Sequence, residues 1–366
     1  MGMAKKSIKS LLVAVFSMFT LLFSTAVFAN ETPQHGGEAA GDHKEAAFDP
    51  AKLIMEHIMD AHEFHFVTLG EKHISIPLPV ILYSPQRGVS VFSYGKFHHG
   101  HEVYNGYKSE EGKIVAVNEA GVPDETVQVY DFSLTRNVVQ MFLALGLLVF
   151  LMVGVANKYK KNGAKVAPSG FQNAIEPVIT FVRDEVGKPN LGHAYEKFMP
   201  YLLTIFFFIL INNLIGLIPG SANVTGNISF TLVLGVISFF VILFSTNRHF
   251  WAHIFNPPVP GFVKPILVPV EFLGIFTKPF ALIVRLFANM VAGHIIITCF
   301  IMLIFIFGAM SKVAGIGFTP VSLAFTIFIY FIEILVAFIQ AFIFTNLTAV
   351  FIGQSMEGAH HDEAHH

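Results

Sequence analysis

Five polar side chains stand inside two long apolar segments near the end of the 366-residue sequence: Arg285, Asn289, His294, Glu333 and Gln340. An arginine at the centre of a membrane helix costs about 2.5–3.5 kcal/mol on insertion scales, so such a residue is a functional candidate by default. Histidine and glutamate can exchange protons, whereas arginine stays charged. The five residues therefore suggest a proton path beside a fixed positive charge, with Arg285 as an electrostatic gate. The structural alternative is an arginine that snorkels to the membrane surface or pairs with a carboxylate to hold the helices together.

Helical spacing distributes these residues over the faces of two helices. Asn289 follows Arg285 by four residues and shares its face, whereas His294 follows by nine residues and falls on the opposite face. Glu333 and Gln340 are seven residues apart, so they share one stripe of the next helix. One helix is thus expected to carry a cation on one side and an imidazole on the other, and its neighbour a carboxylate and an amide.

The composition indicates that these helices lie in a membrane. Hydrophobic residues make up 54% of the sequence and charged residues only 13%, whereas a soluble domain carries about a quarter charged residues. A soluble enzyme and a nucleic-acid-binding protein are therefore disfavoured. The sequence has one cysteine, Cys299, which excludes an internal disulfide and any metal site built from several cysteines.

Five apolar runs are long enough to cross a bilayer, and they cover residues 138–156, 198–218, 228–247, 265–310 and 320–351. The basic residues that follow the first and third runs are expected on the cytoplasmic side, which places the start of the membrane domain outside and its end inside. The fourth run would be about 68 Å long as a helix, so it is either one strongly tilted helix or two spans. Two spans would place the tail outside.

The predicted fold class is an all-α membrane protein with about five transmembrane helices, the last two long and strongly tilted, plus a small extramembrane N-terminal module. The membrane domain is expected to cover residues 136–355 and to be followed by a histidine-rich cytoplasmic tail at 356–366. A glycine-rich loop is predicted between the last two runs, and Lys312 in this loop is expected to be solvated.

The first 29 residues have the basic start, apolar stretch and small-residue cleavage site of a secretory signal peptide. The alternative is a retained first transmembrane helix. In both cases the next segment begins outside the membrane.

Residues 30–135 form an acidic, histidine-rich arm that holds 16 of the 25 acidic residues and 7 of the 23 basic residues. Within this arm, residues 51–66 have helical spacing, and residues 74–93 alternate around a Ser-Pro-Gln-Arg-Gly turn, which predicts a β-hairpin. His98, His99 and His101 are weak candidates for a metal site, and a solvated surface is the commoner outcome for such a cluster.

The motifs around the polar residues closely resemble subunit a of F-type ATP synthases. The resemblance rests on Arg-Leu-Phe-Ala-Asn-Met-Val-Ala-Gly-His at 285–294, on Glu333, and on Gln-Ala-Phe-Ile-Phe at 340–344. Gly-Phe-Gln-Asn-Ala-Ile-Glu at 170–176 and Asn213 before Leu-Ile-Gly-Leu-Ile-Pro also match. The motifs are colinear over about residues 136–355. In that family the chain is the proton-conducting stator subunit beside a rotating ring of c subunits. By similarity, the last two long segments are the tilted helices that curve against this ring, which favours the five-span count.

The resemblance implies a role for each polar residue. Arg285 would be the essential arginine that faces the ring carboxylate, with Gln340 near it. His294 and Glu333 would serve the half-channel open to the outer side, and Glu271 the cytoplasmic half-channel. Asn289 and Asn213 would be polar lining residues. The sequence departs from some relatives at Gly216, where they carry an aspartate, so an acidic relay is absent there.

The resemblance also implies partners and a location. The partners would be the c-subunit ring, the peripheral-stalk b subunits and the rest of the complex in a bacterial inner membrane, with the arm in the periplasm. Protons are the expected coupling ion, and sodium ions are the alternative. No cofactor is expected, and the sequence has no Gly-Lys-Ser/Thr phosphate loop, so ATP chemistry would take place elsewhere. The alternative reading, a secondary transporter or ion channel that uses Arg285 as a substrate site, would predict two internal repeats, and no repeat is visible.

Overall fold

A computed structural model describes most of the arm and nearly all of the membrane domain. The described residues are 60–69, 72–97, 102–110, 112–118, 121–124, 126–163, 170–218, 220–246, 248–257 and 259–356. The predicted signal peptide, the three imidazoles at 98, 99 and 101 and the tail beyond residue 356 lie outside these residues.

Long apolar helices dominate the described structure. Their bounds are α1 Arg136–Asn162, α2 Phe171–Phe181, α3 Lys188–Leu191, α4 Tyr195–Gly216, α5 Ile228–Phe244, α6 Arg248–Phe255, α7 Lys264–Met310 and α8 Lys312–Met356. A π-helical turn at Val182–Gly187 joins α2 to α3. By length and composition, four helical stretches could cross a membrane: Arg136–Lys161, Phe171–Gly216, Lys264–Met310 and Lys312–Met356. Helix α5 is apolar but shorter, with 17 residues. The prediction of a mostly helical membrane protein is confirmed, whereas the exact number of spans and their tilt stay predictions.

Helices α7 and α8 form one long hairpin with almost no loop. Helix α7 continues through Pro269 and Pro279. The predicted glycine-rich loop around Lys312 is wrong, because only Ser311 separates the two helices. A side chain on Gly315 would overlap the backbone of Gly308. Because glycine has no side chain, the two helices can approach closely here. Backbone groups in an apolar environment need partners within the helix, which favours helix over loop here.

The core of the helical domain is built around α4. Phe206 on α4 is fully buried and contacts Phe338 on α8 edge to face at 5.6 Å between ring centroids. Helix α5 packs on α7 where Gly235 meets Ile283, and a methyl group on Gly235 would overlap the Ile283 side chain. These contacts fix α4 relative to α8 and α5 relative to α7, and α7 and α8 carry the five polar residues.

The described part of the arm is a small β module. Its strands are β1 Glu63–Leu69, β2 Lys72–Pro77, β3 Pro79–Ser84, β4 Gly88–Ser93, β5 Tyr107–Glu110, β6 Lys113–Ala116 and β7 Tyr130–Asp131. They form the antiparallel pairs β1–β2 and β5–β6 and a three-stranded sheet of order β4-β3-β7. The predicted hairpin is confirmed as β3 and β4, with Gly88 at a φ of 75° where the turn ends. The helix predicted for residues 51–66 is wrong over the described part, 60–66, because strand β1 begins at Glu63 and pairs with β2.

The module is attached directly to the first residues of α1. The backbone N–H of Arg136 donates to the Ala61 carbonyl at 2.9 Å, and the side chain of Asp60 accepts from the Asn137 N–H at 3.3 Å. Nearby, His62 Nε2 lies 2.9 Å from Asp131 Oδ2. Burial raises the pKa of Asp131, but hydrogen bonds from His62 and Ser133 outweigh it, and the net pKa lies below the ordinary value.

Candidate functional site

Two amides join α7 and α8 at the middle of the hairpin. Asn289 Nδ2 donates to Gln340 Oε1 at 3.0 Å. Gln340 is only 2% exposed, whereas Asn289 lies at the exposed side of α7. A buried amide oxygen needs a donor, so this bond fixes both the rotamer of Gln340 and the local register of the two helices.

Arg285 lies one helical turn before Asn289 and is exposed on α7. Within the described part of the chain, its guanidinium makes no hydrogen bond and no ion pair. The paired form of the structural alternative, an arginine bound to a carboxylate, is therefore not seen among the described residues. A guanidinium has five donors and carries its charge at every relevant pH, so on an apolar helix face it calls for an anionic partner.

The Glu333 carboxylate is buried between the two long helices. The residue is 6% exposed and its carboxylate lies against the backbone of Gly293, where any Cβ atom would overlap it. Its Oε2 atom is buried and has no hydrogen-bond partner among the described residues. A buried carboxylate oxygen without a partner is costly unless water or a proton satisfies it.

His294 follows Gly293 and points to the end of α4. Its Nε2 lies 3.0 Å from the carbonyl oxygen of Gly216, which can only accept, so Nε2 carries the proton of the neutral ring. This carbonyl belongs to the residue at which the sequence lacks an acidic side chain. Two adjacent residues of α7 thus contact different helices. His294 extends its imidazole to α4, and Gly293 is contacted by the Glu333 carboxylate of α8.

Helix α4 adds a second polar residue to this region. Asn213 is fully buried, its Nδ2 donates to the Ala337 carbonyl at 3.3 Å, and its Oδ1 has no partner among the described residues. Ala337 lies one turn beyond Glu333 on α8. Three helices therefore contribute polar groups to one region: α4 with Asn213, α7 with His294 and α8 with Glu333.

Glu271 lies apart from this region. It precedes Arg285 by fourteen residues, is half-buried, and makes no hydrogen bond or ion pair within the described ranges. The nearby Lys278 donates to Gln354 at 3.2 Å and lies 5.1 Å from the Phe351 ring, which ties this part of α7 to the end of α8.

Several contacts could not be found from residue types and spacing. The Gly216 carbonyl is a backbone acceptor and carries no sequence signal. Gln140 on α1 exchanges two hydrogen bonds with the backbone of Ala222, and Asn223 donates to the Met290 carbonyl at 3.2 Å. The only signal would have been a polar residue in or next to an apolar run. These bonds connect the turn before α5 to α1 and α7.

The described residues contain no cluster of three or more histidine, cysteine or acidic side chains that could hold a metal ion. His98, His99 and His101 lie outside the described residues, so their proposed metal site stays a prediction. The chemistry of the region on α4, α7 and α8 is that of proton exchange and charge placement, because its groups are a carboxylate, an imidazole, amides and a guanidinium.

Comparison with known proteins gives two family matches. The model of the ATP synthase A chain family matches residues 138–353, and a domain of unknown function, DUF8433, matches residues 53–132. The chain is 41% identical to the ATP synthase subunit a of Chloroherpeton thalassium, a match that covers 99% of this chain and 96% of the relative. It is 39% identical to an ATP synthase subunit a 2 of Chlorobaculum tepidum, over 90% of this chain and 79% of the relative. It is 36% identical to the ATP synthase subunit a of Pelodictyon phaeoclathratiforme, over 93% of this chain and 85% of the relative.

Proposed function

The chain belongs to the ATP synthase A chain family, and from this premise we propose that it is the proton-conducting stator subunit of a rotary F-type ATP synthase. It is a membrane component that translocates protons. ATP synthesis itself takes place on other subunits of the complex.

The observation that carries this function is the exposed guanidinium of Arg285. It stands on a membrane helix without an anionic partner in the described part of the chain, one turn from Asn289, which donates to the buried Gln340. A carboxylate of another subunit can pair with it, and the c-subunit ring supplies one. Arg285 favours the ionised form of that carboxylate and bars a direct proton leak, because it does not release its own proton.

His294 and Glu333 form the half-channel open to the outer side. Protons enter through this region and neutralise a ring carboxylate. The neutral site then turns into the lipid without the cost of a bare charge in hydrocarbon. Asn213 and Asn289 line the path and fix its walls through their hydrogen bonds.

Glu271 belongs to the cytoplasmic half-channel, where the ring carboxylate loses its proton after nearly a full rotation. Each proton that crosses 100 mV releases about 2.3 kcal/mol, so several crossings are needed for one ATP. Two half-channels that are offset along α7 turn this flow into rotation, since no proton can cross without the ring.

The organisation of the chain follows from this function. Residues 1–29 are a signal peptide, the arm lies in the periplasm, and residues 356–366 are a cytoplasmic tail of a multi-pass protein in the bacterial inner membrane. The ring, the peripheral-stalk b subunits and the remaining subunits are its partners. The coupling ion is the proton, because histidine and glutamate both exchange protons.

The test is ATP-driven proton pumping in inverted membrane vesicles that carry Arg285→Ala. We expect pumping to fall to background while the complex still assembles, as judged by the amount of c ring that co-purifies with this chain. Lys278→Ala removes another cation of α7, one held by Gln354, and serves as the matched control that keeps pumping. Pumping at the normal rate by an assembled Arg285→Ala complex would overturn the assignment.

A further inference from the structure

The inward face of α8 carries three oxygen groups that no described residue hydrogen-bonds: Thr326, Tyr330 and Glu333. They follow one another at spacings of four and three residues, so they share one face. Thr326 is 6% exposed and its hydroxyl is a buried atom without a partner, as is Oε2 of Glu333. The Tyr330 side chain between them is half-buried.

The free hydroxyl of Thr326 is an exception among the threonines of helices α1 to α8. Every other one donates to a carbonyl three or four residues earlier: Thr180, Thr204, Thr231, Thr277, Thr298, Thr319, Thr345 and Thr348. This local bond is available to any helical threonine and normally satisfies a buried hydroxyl. Thr326 does not use it, so its hydroxyl is oriented for a different partner.

Water is the partner that fits these groups. A buried polar atom without a hydrogen bond loses about 1–3 kcal/mol, and an ordered water removes that cost. Along the helix axis the backbone rises about 6 Å from Thr326 to Tyr330 and about 4.5 Å from Tyr330 to Glu333. One water between two oxygens spans about 5.5 Å, twice the length of one hydrogen bond, which is close to the rise between successive groups.

We propose that Thr326 and Tyr330 bind a row of water molecules that leads protons to Glu333 from the Lys312 end of α8. This inference rests on the proposed function, in which that end is the outer one. The hydroxyls orient the waters and can both donate and accept, so a proton moves along the row without ionising either residue.

The position of His294 makes such a route useful. On the α4 side, Nε2 of the imidazole lies 3.0 Å from the carbonyl of Gly216, an acceptor that cannot bring protons. The α8 side offers groups that can both donate and accept. The row along α8 therefore supplies Glu333 with protons, and His294 need not be reached first.

The test compares substitutions on α8 in the assembled complex. Thr326→Val removes the hydroxyl and keeps the shape, and we expect the passive proton conductance of membranes stripped of the catalytic sector to fall about twofold to tenfold, the factor that corresponds to one lost hydrogen bond. Thr326→Ser restores the hydroxyl and should restore conductance, and Tyr330→Phe should lower it. The control is Thr345→Val, the same change at a buried threonine whose hydroxyl is bonded to Ala341, and it should leave conductance unchanged.

A second measurement examines access from one side. In a Cys299→Ala background, Thr326→Cys should react with silver ions added to right-side-out vesicles, and this should block conductance. Normal conductance in Thr326→Val, or a loss that Thr326→Ser does not restore, or a Thr326→Cys thiol that silver does not reach, would overturn the proposal. Arg285→Ala in the same series distinguishes a failure of this proposal from a failure of the proposed function. If Arg285→Ala abolishes pumping, the proposed function is upheld whatever the Thr326 variants do.

Discussion

The carboxylate of Glu333 on α8 lies directly against the Cα atom of Gly293 on α7. No other residue type fits at position 293 without displacing the Glu333 carboxylate. The contact brings the carboxylate beside the residue that precedes His294, so the room left by one glycine sets the position of the titratable group.

Gly293→Ala should therefore impair proton transfer while the complex still assembles. The added methyl group meets the end of a flexible side chain, which moves more easily than a backbone. A displacement of about 1 Å can cost up to a hundredfold in a positioned reaction, so we expect pumping to fall about tenfold or more. Gly308→Ala on the same helix meets no atom within 4 Å and is the control. Glu333→Asp, with a shorter side chain, should restore part of the lost activity in the double variant, and unchanged pumping in Gly293→Ala would contradict the role of this contact.

The Asn289–Gln340 bond should show coupling between the two helices. Asn289→Leu leaves the buried Gln340 oxygen without its donor, which should cost about 1–3 kcal/mol of stability. In the double variant Asn289→Leu/Gln340→Leu the loss should be smaller than the sum of the two single losses, because the unpaired group is gone. Thermal unfolding of the purified complex gives the stability of the parent, of the two single variants and of the double variant. Additive losses of stability would show that the two amides do not depend on each other.

The contact between Gly235 and Ile283 should be needed for packing of α5 on α7. Gly235→Ala would overlap the Ile283 side chain, and such overpacking typically costs about 1–3 kcal/mol. We expect less assembled complex in the membrane and a lower melting temperature. Ile283→Ala in the same chain removes the overlapping atoms and should recover assembly. If Gly235→Ala assembles normally by itself, the two helices are less tightly packed than the structure indicates.

The junction between the β module and α1 should weaken in acid. Asp131 has a pKa below its ordinary value of 3.8 in the folded chain, so its contribution to stability is full above about pH 4 and is lost as the pH falls through the folded pKa. Asp131→Asn should raise the rate at which a protease cleaves the module at pH 7, in membranes that hold the whole complex, and should flatten the further rise at low pH.

Glu110→Gln is the matched control for this junction. It removes a carboxylate of the same module that pairs at the surface with Lys108, a kind of contact that contributes little to stability. Equal cleavage of the Asp131→Asn chain and the parent chain at pH 7 would show that the pair of His62 and Asp131 does not stabilise the part of the module next to α1.

Much of this architecture follows from the sequence because it depends on local physics. The apolar runs are long enough for helices that cross a bilayer, and the alternation around a Ser-Pro-Gln-Arg-Gly turn specifies the β3–β4 hairpin. The errors also have local causes. Glycines around Lys312 suggested a loop, but an apolar setting favours helix there. Residues 63–65 lie in a stretch with helical spacing yet gain strand partners from β2.

The sequence by itself also determined which polar residues stand in the apolar helices, because helical periodicity fixes their faces. It could not determine which of them meet, since the register between two helices depends on where side chains are missing, as at Gly235, Gly293 and Gly315. Only the tertiary structure joined Asn289 to Gln340 and brought His294 to a carbonyl of Gly216. A backbone acceptor is the same at every residue, and packing alone decides which one a side chain reaches.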